Sequence, residues 1–366
     1  MRFQCKSKEL YSALQLVSTV IPSKSPREIL QNVLIEAKGG VLQLAGTDLE
    51  VGMRYSVPDV QIEKDGVILA EASKLTQILR EAGDSMLAVE SGEGLDFTIT
   101  FEGAEYNLKG FDPEEYPEVP VFEGDHVEVD AAVLADMIAH TAFAAAKESM
   151  RFAINGVLFV VKEGTAQMVG TDGHRLGWIK RKVQIAEDVA FRGIMPLKAL
   201  DVIARLVADS EDPVHLKLEE SFIIIKCGPG MVASKLVEGS YPNYEDVIPR
   251  DNDRIVNVNV AQFMSAVRQA AVLTGDESRA VRAQFEDNKM TLTARLPERG
   301  GAKIERNVEY AGSAIKIGFN PDFILDLLKT THDETIRIEL KDKDKPAVFK
   351  TSGDYLYVVM PVSTED

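Results

Sequence analysis

The residues best suited to chemistry lie in one short stretch, residues 170–176, which reads Gly-Thr-Asp-Gly-His-Arg-Leu. His174 and Asp172 could act as a general base and its orienting carboxylate, or as ligands of a metal ion. On that interpretation the protein is a metal-dependent hydrolase centred on His174. The alternative is a structural turn, because glycines bracket Thr-Asp and short polar side chains often satisfy backbone groups there.

A partial copy of this stretch favours the turn. Residues 46–48 repeat the Gly-Thr-Asp of residues 170–172 at a spacing of 124, but they continue as Leu-Glu instead of Gly-His-Arg. We therefore interpret the shared Gly-Thr-Asp as scaffold and the Gly-His-Arg extension as a function carried by one copy.

The same spacing recurs in the elements that would position these turns. Six sets of mostly apolar residues have the spacing i, i+3, i+4 and i+7 of a buried helix face. They are Leu10, Ala13, Leu14 and Val17; Leu75, Ile78, Leu79 and Ala82; Leu134, Met137, Ile138 and Thr141; Leu200, Ile203, Ala204 and Val207; Phe263, Ala266, Val267 and Ala270; and Ile324, Leu327, Leu328 and Thr331. The second, fourth and sixth sets are 125 and 124 residues apart, which indicates three copies of one unit.

Between the helix sets, residues 41–44, 215–218 and 336–340 alternate apolar and polar residues as strands do. The predicted unit is helix, strands, helix, strands. We place the domains at 1–124, 125–251 and 252–366, with boundaries in acidic, turn-like stretches. Two helices and many short strands per unit predict an α+β fold with antiparallel sheets packed on a helix pair. Three such units could form an open array or part of a closed ring.

Composition narrows the class of protein. The chain has 366 residues and a net charge of −17, which argues against an open cationic surface that grips nucleic acid. Cys5 and Cys227 are the only cysteines and lack metal-ligand spacing, so we expect reduced thiols in a cytoplasmic protein. We also expect no signal peptide and no membrane span.

Several stretches, in order along the chain, resemble the bacterial sliding-clamp family, the β subunit of the replicative DNA polymerase III. They are residues 45–50 (Ala-Gly-Thr-Asp-Leu-Glu), 170–176, 234–244 (Ser-Lys-Leu-Val-Glu-Gly-Ser-Tyr-Pro-Asn-Tyr), 318–320 (Gly-Phe-Asn) and 357–361 (Tyr-Val-Val-Met-Pro). The resemblance implies a DNA clamp fold with three repeated domains per chain. Each domain would have two lumen-lining helices backed by antiparallel sheets, and two chains would close a six-domain ring around duplex DNA.

Charge and size agree with such a ring. The helix windows with their neighbouring loops (6–27, 70–82, 130–151, 195–208, 261–282 and 320–332) carry a combined charge of +3, so the remainder carries −20. Twelve helices of about 10 Å diameter side by side make a circle of about 120 Å, which leaves a lumen of roughly 28 Å. A duplex fits with a layer of water, so phosphates are contacted without reading of bases.

The resemblance further implies a partner-peptide pocket that captures short tails of the polymerase α subunit, the clamp-loader δ subunit and other proteins with a clamp-binding motif. Its residues would be Ile154, Thr171, Gly173, His174, Arg175, Leu176, Pro242, Val247, Val358, Met360, Pro361 and Val362. Most are apolar, as an anchor pocket for Leu and Phe side chains requires. Position 246 departs from the family, where it is commonly basic, because it is Asp246 here.

Two other surfaces follow from the resemblance. The DNA-facing residues would be Lys24, Lys74, Arg151 and Lys198, and the dimer interface would place Tyr106 and Leu108 against Val272 and Leu273 of the other copy. We therefore expect a non-catalytic processivity subunit of a DNA-directed DNA polymerase, without a cofactor or metal. The rivals are the His174 hydrolase and, among binding proteins, a monomeric three-domain adaptor.

Overall fold

The computed structural model describes residues 1–124, 126–150, 152–186, 188–208, 210–275, 279–296 and 299–363. Its α-helices within those ranges are α1 (Ser7–Val17), α2 (Ala72–Ala82), α3 (Ala131–Thr141), α4 (Leu197–Val207), α5 (Val260–Ala271) and α6 (Pro321–Thr330). Each helix covers one of the six predicted apolar sets, except that Thr331 lies just after α6. The prediction of six repeated helices is therefore confirmed.

The helices form where sequence and burial agree. All four predicted face residues of α1 are fully buried. Asn259 caps α5 by accepting a hydrogen bond from the backbone N–H of Gln262 at 3.0 Å. Asn320 caps α6 in the same way through Asp322, with Pro321 in the first turn.

Strands fill the segments between the helices. Those of the first part of the chain are β1 (Arg2–Lys6), β2 (Asn32–Lys38), β3 (Val41–Thr47), β4 (Val51–Val57), β5 (Gln61–Lys64), β6 (Gly66–Glu71), β7 (Met86–Ser91), β8 (Asp96–Phe101), β9 (Ala104–Lys109) and β10 (Val127–Val129). They continue with β11 (Gly156–Lys162), β12 (Thr165–Thr171), β13 (Arg175–Lys182), β14 (Phe191–Pro196), β15 (Val214–Leu218), β16 (Phe222–Cys227) and β17 (Gly230–Lys235). The last are β18 (Arg254–Asn259), β19 (Val281–Glu286), β20 (Lys289–Leu296), β21 (Gly300–Asn307), β22 (Glu309–Tyr310), β23 (Ile315–Phe319), β24 (Thr335–Leu340), β25 (Ala347–Lys350) and β26 (Tyr355–Val359).

Residues 1–135 and 198–236 form one compact unit with two antiparallel sheets. The smaller sheet has the strand order β5-β1-β7-β8-β9, so β9 is an end strand. The larger has the order β10-β15-β16-β17-β4-β3-β2-β6. Helix α1 packs against α2 and against β3 and β4, which gives the predicted helix pair backed by sheet.

Residues 136–197 and 237–366 form the other unit, again with two antiparallel sheets. One has the order β14-β11-β12-β13-β26-β25-β24-β18-β22, and the other has the order β21-β20-β19-β23, with β21 as an end strand. Helix α5 packs against α6, β20 and β21.

The large sheet of each unit joins strands from two copies of the repeat. In the first unit β4 pairs with β17, with Gly52 opposite Ala233. In the second unit β13 pairs with β26, with Leu176 opposite Val358. A strand from the end of the chain is thereby placed beside the strand that follows the second Gly-Thr-Asp. Among the described residues, no helix has the length and apolar character needed to cross a membrane.

Candidate functional site

The turn after β12 is held together by its own polar side chains. The Thr171 hydroxyl donates to the backbone oxygen of Arg175 at 2.7 Å and accepts from the N–H of Gly173 at 3.1 Å. Oδ1 of Asp172 accepts from the N–H groups of His174 and Arg175 at 2.9 and 3.0 Å. Gly173 has a φ of 89°, which glycine adopts without strain. Thr171 and Asp172 therefore shape the backbone, as the repeat predicted.

The first copy of the motif makes the same four hydrogen bonds. The Thr47 hydroxyl donates to the backbone oxygen of Val51 at 3.1 Å and accepts from the N–H of Leu49 at 3.0 Å. Oδ1 of Asp48 accepts from the N–H groups of Glu50 and Val51 at 2.9 and 2.7 Å. The shared Gly-Thr-Asp is thus a structural device used in both copies.

This geometry gives the hydrolase alternative no support. The Asp172 carboxylate receives the backbone N–H of His174, so it does not serve to orient the imidazole as a triad acid would. Among the described residues, no group of three or more His, Cys, Asp or Glu side chains is arranged to hold a metal ion.

Arg175 ties the second turn to α6. Its Nε contacts Oδ2 of Asp172 at 3.0 Å, and its Nη1 contacts Oδ2 of Asp326, on α6, at 2.7 Å. The guanidinium carbon lies 4.4 Å from the centre of the Phe323 ring, which is also on α6, and 5.6 Å from that of Phe143. With two carboxylates and two aromatic faces around it, this guanidinium is fixed in place.

A cavity of about 270 Å³ opens beside the turn. Ten of the twelve residues expected from the resemblance line it: Ile154, Thr171, Gly173, His174, Arg175, Leu176, Pro242, Val247, Val358 and Met360. Pro361 and Val362 are not among the lining residues, and the N–H of Val362 instead bonds to the backbone oxygen of Gly318 at 2.9 Å. Asn243 and Tyr244 also line the cavity and were missed, although they directly follow Pro242.

The cavity has a buried apolar floor and an exposed apolar rim. Leu176, Val358 and Ile154 are at most 6% exposed, whereas Val247 and Met360 are 51% and 41% exposed. Beneath them Leu176 and Val358 belong to a core cluster that includes Tyr241, whose hydroxyl donates to the backbone oxygen of Val169 at 2.8 Å. A floor tied down in this way is rigid, while the rim offers apolar surface to a ligand.

Comparison with known proteins identifies the family. Residues 1–120, 128–243 and 245–363 match the N-terminal, central and C-terminal domains of the DNA polymerase III beta subunit. This chain belongs to the DNA polymerase III beta subunit family, the beta sliding clamps. Members of this family are non-catalytic processivity factors of the polymerase, and the three matched stretches correspond to the three copies of the repeat.

Individual relatives cover the whole length of the chain. The beta sliding clamp of Chlamydia muridarum is 30% identical over all of both chains, and that of Pseudomonas putida is 31% identical over 99% of this chain and 100% of its own. A crystal structure of the DNA polymerase III subunit beta from Pseudomonas aeruginosa, 31% identical, superposes with a TM-score of 0.93 and covers 100% of both chains. The expected clamp fold with three repeated domains is therefore confirmed.

The four basic residues expected to face DNA differ in their surroundings. Lys24 lies in the loop after α1 and Lys74 lies on α2, and both are exposed. The ammonium of Lys198 is held by the Asp48 carboxylate at 2.5 Å and by the backbone oxygen of Val20 at 3.0 Å. Arg151 lies outside the described residues. Lys198 thus has a carboxylate partner that sequence reasoning did not foresee.

The Lys198 contact alters the acidity of its partner. Burial alone would raise the pKa of the Asp48 carboxyl. The Lys198 ammonium and the N–H groups of Val51 and Glu50 outweigh burial and hold that pKa below its usual value. The scaffold aspartate of the first turn is therefore stabilised as an anion.

The residues expected at the dimer interface lie at two separate places. Tyr106 and Leu108 are on the end strand β9, where both are half-buried and the Tyr106 ring stacks on Phe101 at 5.7 Å. Val272 and Leu273 directly follow α5, and Val272 is 76% exposed. These surfaces are apolar and partly open to solvent in the single chain.

Proposed function

We propose that two copies of this chain close a six-domain ring around duplex DNA and tether the replicative polymerase and repair proteins to it. The domains would be residues 1–124, 125–251 and 252–366, and the ring would act in the cytoplasm without a cofactor. Membership of the clamp family supports this proposal, since it makes the chain a processivity subunit and not a catalyst.

The seam of the ring would join the first domain of one copy to the third domain of the other. Tyr106 and Leu108 on β9 would pack on Val272 and Leu273 of the partner. Half-buried apolar side chains on an end strand, and an apolar residue that is 76% exposed after α5, support this pairing. A strand at the end of a sheet also offers backbone groups to a partner strand.

The lumen would hold DNA through its phosphates and not through base edges. Lys24, Lys74, Lys198 and Arg151 would supply charge to a lining whose sequence windows total only +3. Since Lys198 is already paired with Asp48, we expect Lys24 and Lys74 to contribute more to DNA contact. A weakly positive lining tolerates phosphates without trapping them, which sliding requires.

The single observation that carries the peptide-binding role is the cavity lined by ten of the twelve sequence-predicted residues. We propose that it receives short tails of the polymerase α subunit, the clamp-loader δ subunit and other proteins with a clamp-binding motif. Burying a Leu and a Phe there contributes roughly 3–6 kcal/mol before the cost of ordering the peptide. Taken alone, that magnitude corresponds to a dissociation constant between about 6 mM and about 40 μM, which is weak enough for partners to exchange.

The direct test is fluorescence anisotropy of a labelled Gln-Leu-x-Leu-Phe peptide. We expect Met360→Ala to weaken binding and deletion of the chain from Met360 onward to abolish it. Met86→Ala is the matched control, because Met86 is an exposed methionine of β7 that lies outside the pocket. Equal affinity of the peptide for wild type and for the truncated chain would refute the assignment.

Encirclement is tested separately from the pocket. After loading by its ATP-driven loader, the ring should remain on nicked circular DNA through salt that strips ordinary DNA-binding proteins, and should leave when the circle is cut. Leu108→Asp should convert the dimer to a monomer, since it buries an unpaired carboxylate at the seam. Equal loss from circular and linear DNA at moderate salt would show that the chain does not encircle DNA.

A further inference from the structure

Two acidic residues, Glu245 and Asp246, lie in the chain between lining residues of the peptide pocket, although neither lines it. One wall of the pocket runs through Pro242, Asn243 and Tyr244 into a short 3₁₀ turn at Glu245–Val247, and Val247 lines the pocket. Glu245 and Asp246 are exposed on that same turn. Two exposed acidic residues therefore directly precede Val247, whose exposed apolar side chain a ligand would cover.

Asp246 is hydrogen-bonded to a residue that lines the pocket. Its Oδ2 accepts a hydrogen bond from Nδ2 of Asn243 at 2.6 Å, and Asn243 is itself a lining residue. This hydrogen bond restricts the Asp246 carboxylate and so lowers part of the side-chain ordering cost that weakens most surface ion pairs.

The remainder of the pocket does not cancel this charge. Of the described residues that line it, Arg175 is the only Lys, Arg, Asp or Glu, and its guanidinium is bonded to Asp172 and Asp326. Asp326 also pairs with Lys329 at 3.1 Å, so this cluster holds two cations and two carboxylates and has no excess positive charge. On the Glu245–Asp246 side Arg192 also acts on Tyr244, so two carboxylates stand there against one guanidinium and the surroundings of a bound peptide are acidic by one charge.

We propose that Glu245 and Asp246 select partner peptides that carry a lysine or arginine beside the apolar residues filling the pocket. This selection rests on the proposed peptide-binding function and adds the chemical class of the ligand. Rim charges of this kind mainly set specificity and association rate. We expect each to change the dissociation constant roughly two- to five-fold at low salt.

The experiment compares three labelled peptides that share the Gln-Leu-x-Leu-Phe core and differ in two flanking residues on either side: Lys-Lys, Ser-Ser or Glu-Glu. Wild type should bind them in the order Lys, Ser, Glu, with the spread collapsing near 1 M salt, where screening acts over about 3 Å. Asp246→Asn should reduce the preference and Asp246→Lys should reverse it.

The control is Glu286→Gln, because Glu286 is another exposed acid that accepts a hydrogen bond from a neighbouring amide, Gln284, at 2.9 Å. It should leave the order unchanged. Equal binding of the three peptides to wild type at low salt, or an unchanged Lys preference in Asp246→Lys, would overturn the selection. A further peptide, with the Leu-Phe pair replaced by Ala-Ala, tests the pocket itself. Unchanged binding of that peptide would refute the proposed peptide-binding function and not only the selection by charge.

Discussion

The two Thr-Asp turns are built alike, but they differ in the side chains that surround them, and the second turn borders the cavity of about 270 Å³. In the first copy Gly52 stands where the second copy has Leu176, and a Cβ on Gly52 would lie 2.9 Å from Cγ1 of Val119. Val119 is 2% exposed, so it fills this place from within the chain. The residue 125 positions later is Tyr244, which lines the pocket wall. The two copies therefore share one turn geometry and differ in the neighbouring side chain: Val119 packs on the first turn, whereas Tyr244 lines the cavity beside the second.

The neighbouring strand ends the same way in both copies but carries different chemistry. The N–H of Lys235 bonds to the backbone oxygen of Glu50 at 3.0 Å, and that of Met360 bonds to the backbone oxygen of His174 at 2.8 Å. In the first copy the two side chains form an ion pair at 3.1 Å. In the second copy they are a thioether and an imidazole that both line the pocket. A thioether and an imidazole thus stand beside the proposed peptide pocket, where the first copy has a salt bridge.

The largest expected difference between the copies lies at the first glycine of each motif. A Cβ on Gly170 would lie 2.1 Å from the backbone oxygen of Thr141, whereas one on Gly46 would meet the side chains of Ile21 and Val17 at 2.8 and 2.9 Å. Because side chains can shift and that backbone cannot, Gly170→Ala should cost about 3 kcal/mol and Gly46→Ala about 1 kcal/mol. Urea denaturation of the two variants checks this, and equal losses would contradict it.

The next largest expected effect is at Val119, the buried residue that packs on the first turn. Val119→Ala should lower the free energy of unfolding by about 2 kcal/mol, because it leaves a cavity in a filled site, and should leave peptide affinity unchanged.

Val247→Ala should weaken peptide binding and leave stability nearly unchanged, since Val247 is 51% exposed and its methyl groups are available to the peptide. We expect stability within about 0.5 kcal/mol of wild type and roughly five-fold weaker peptide binding. Urea denaturation and peptide anisotropy are measured on both Val119→Ala and Val247→Ala. A variant that loses both stability and peptide affinity would contradict the separation of the two roles.

The smallest expected effect is the pH dependence of the stability that Asp48 contributes to the first turn. Because the pKa of Asp48 is lowered in the folded chain, its stabilising contribution is complete above the unfolded value of about 3.9. It is lost as the pH falls through the lower, folded value. Asp48→Asn should therefore be less stable than wild type at pH 7, and the gap should narrow below about pH 4. Thermal unfolding from pH 7 to pH 3 measures the gap, with the exposed Glu93→Gln as control; a gap that is constant with pH would exclude the ion pair as its cause.

The helices could be predicted because their signal is local. Each buried face repeats within two turns of one helix, so the six apolar sets needed no knowledge of the fold. The assembly of the sheets could not be predicted in this way. Strands β4 and β17 pair through backbone groups that every strand has, and nothing in either segment specifies the other. The sheets therefore join copies of the repeat that the sequence presents as separate units.

Most of the pocket was foreseen and its exceptions have physical causes. Pro361 and Val362 were expected there, but the chain turns toward β23, where the N–H of Val362 bonds to Gly318. Asn243 and Tyr244 were overlooked although they end the 234–244 stretch that carries the resemblance, because the sequence alone does not show which side chains of a loop face a cavity. The contacts Lys198–Asp48 and Arg175–Asp326 span 150 and 151 residues, and such long side chains reach partners that only the folded chain brings near.

The apolar surfaces on β9 and directly after α5 have a kinetic consequence for the proposed ring. Each copy would contribute one of each, so the ring would contain two identical seams. If one seam opens, the other still links the chains, and the open ends meet again at an effective concentration in the millimolar range. Re-closure is then a unimolecular event whose rate is independent of protein concentration. Only when both seams are broken at once does dilution govern whether the chains find each other again.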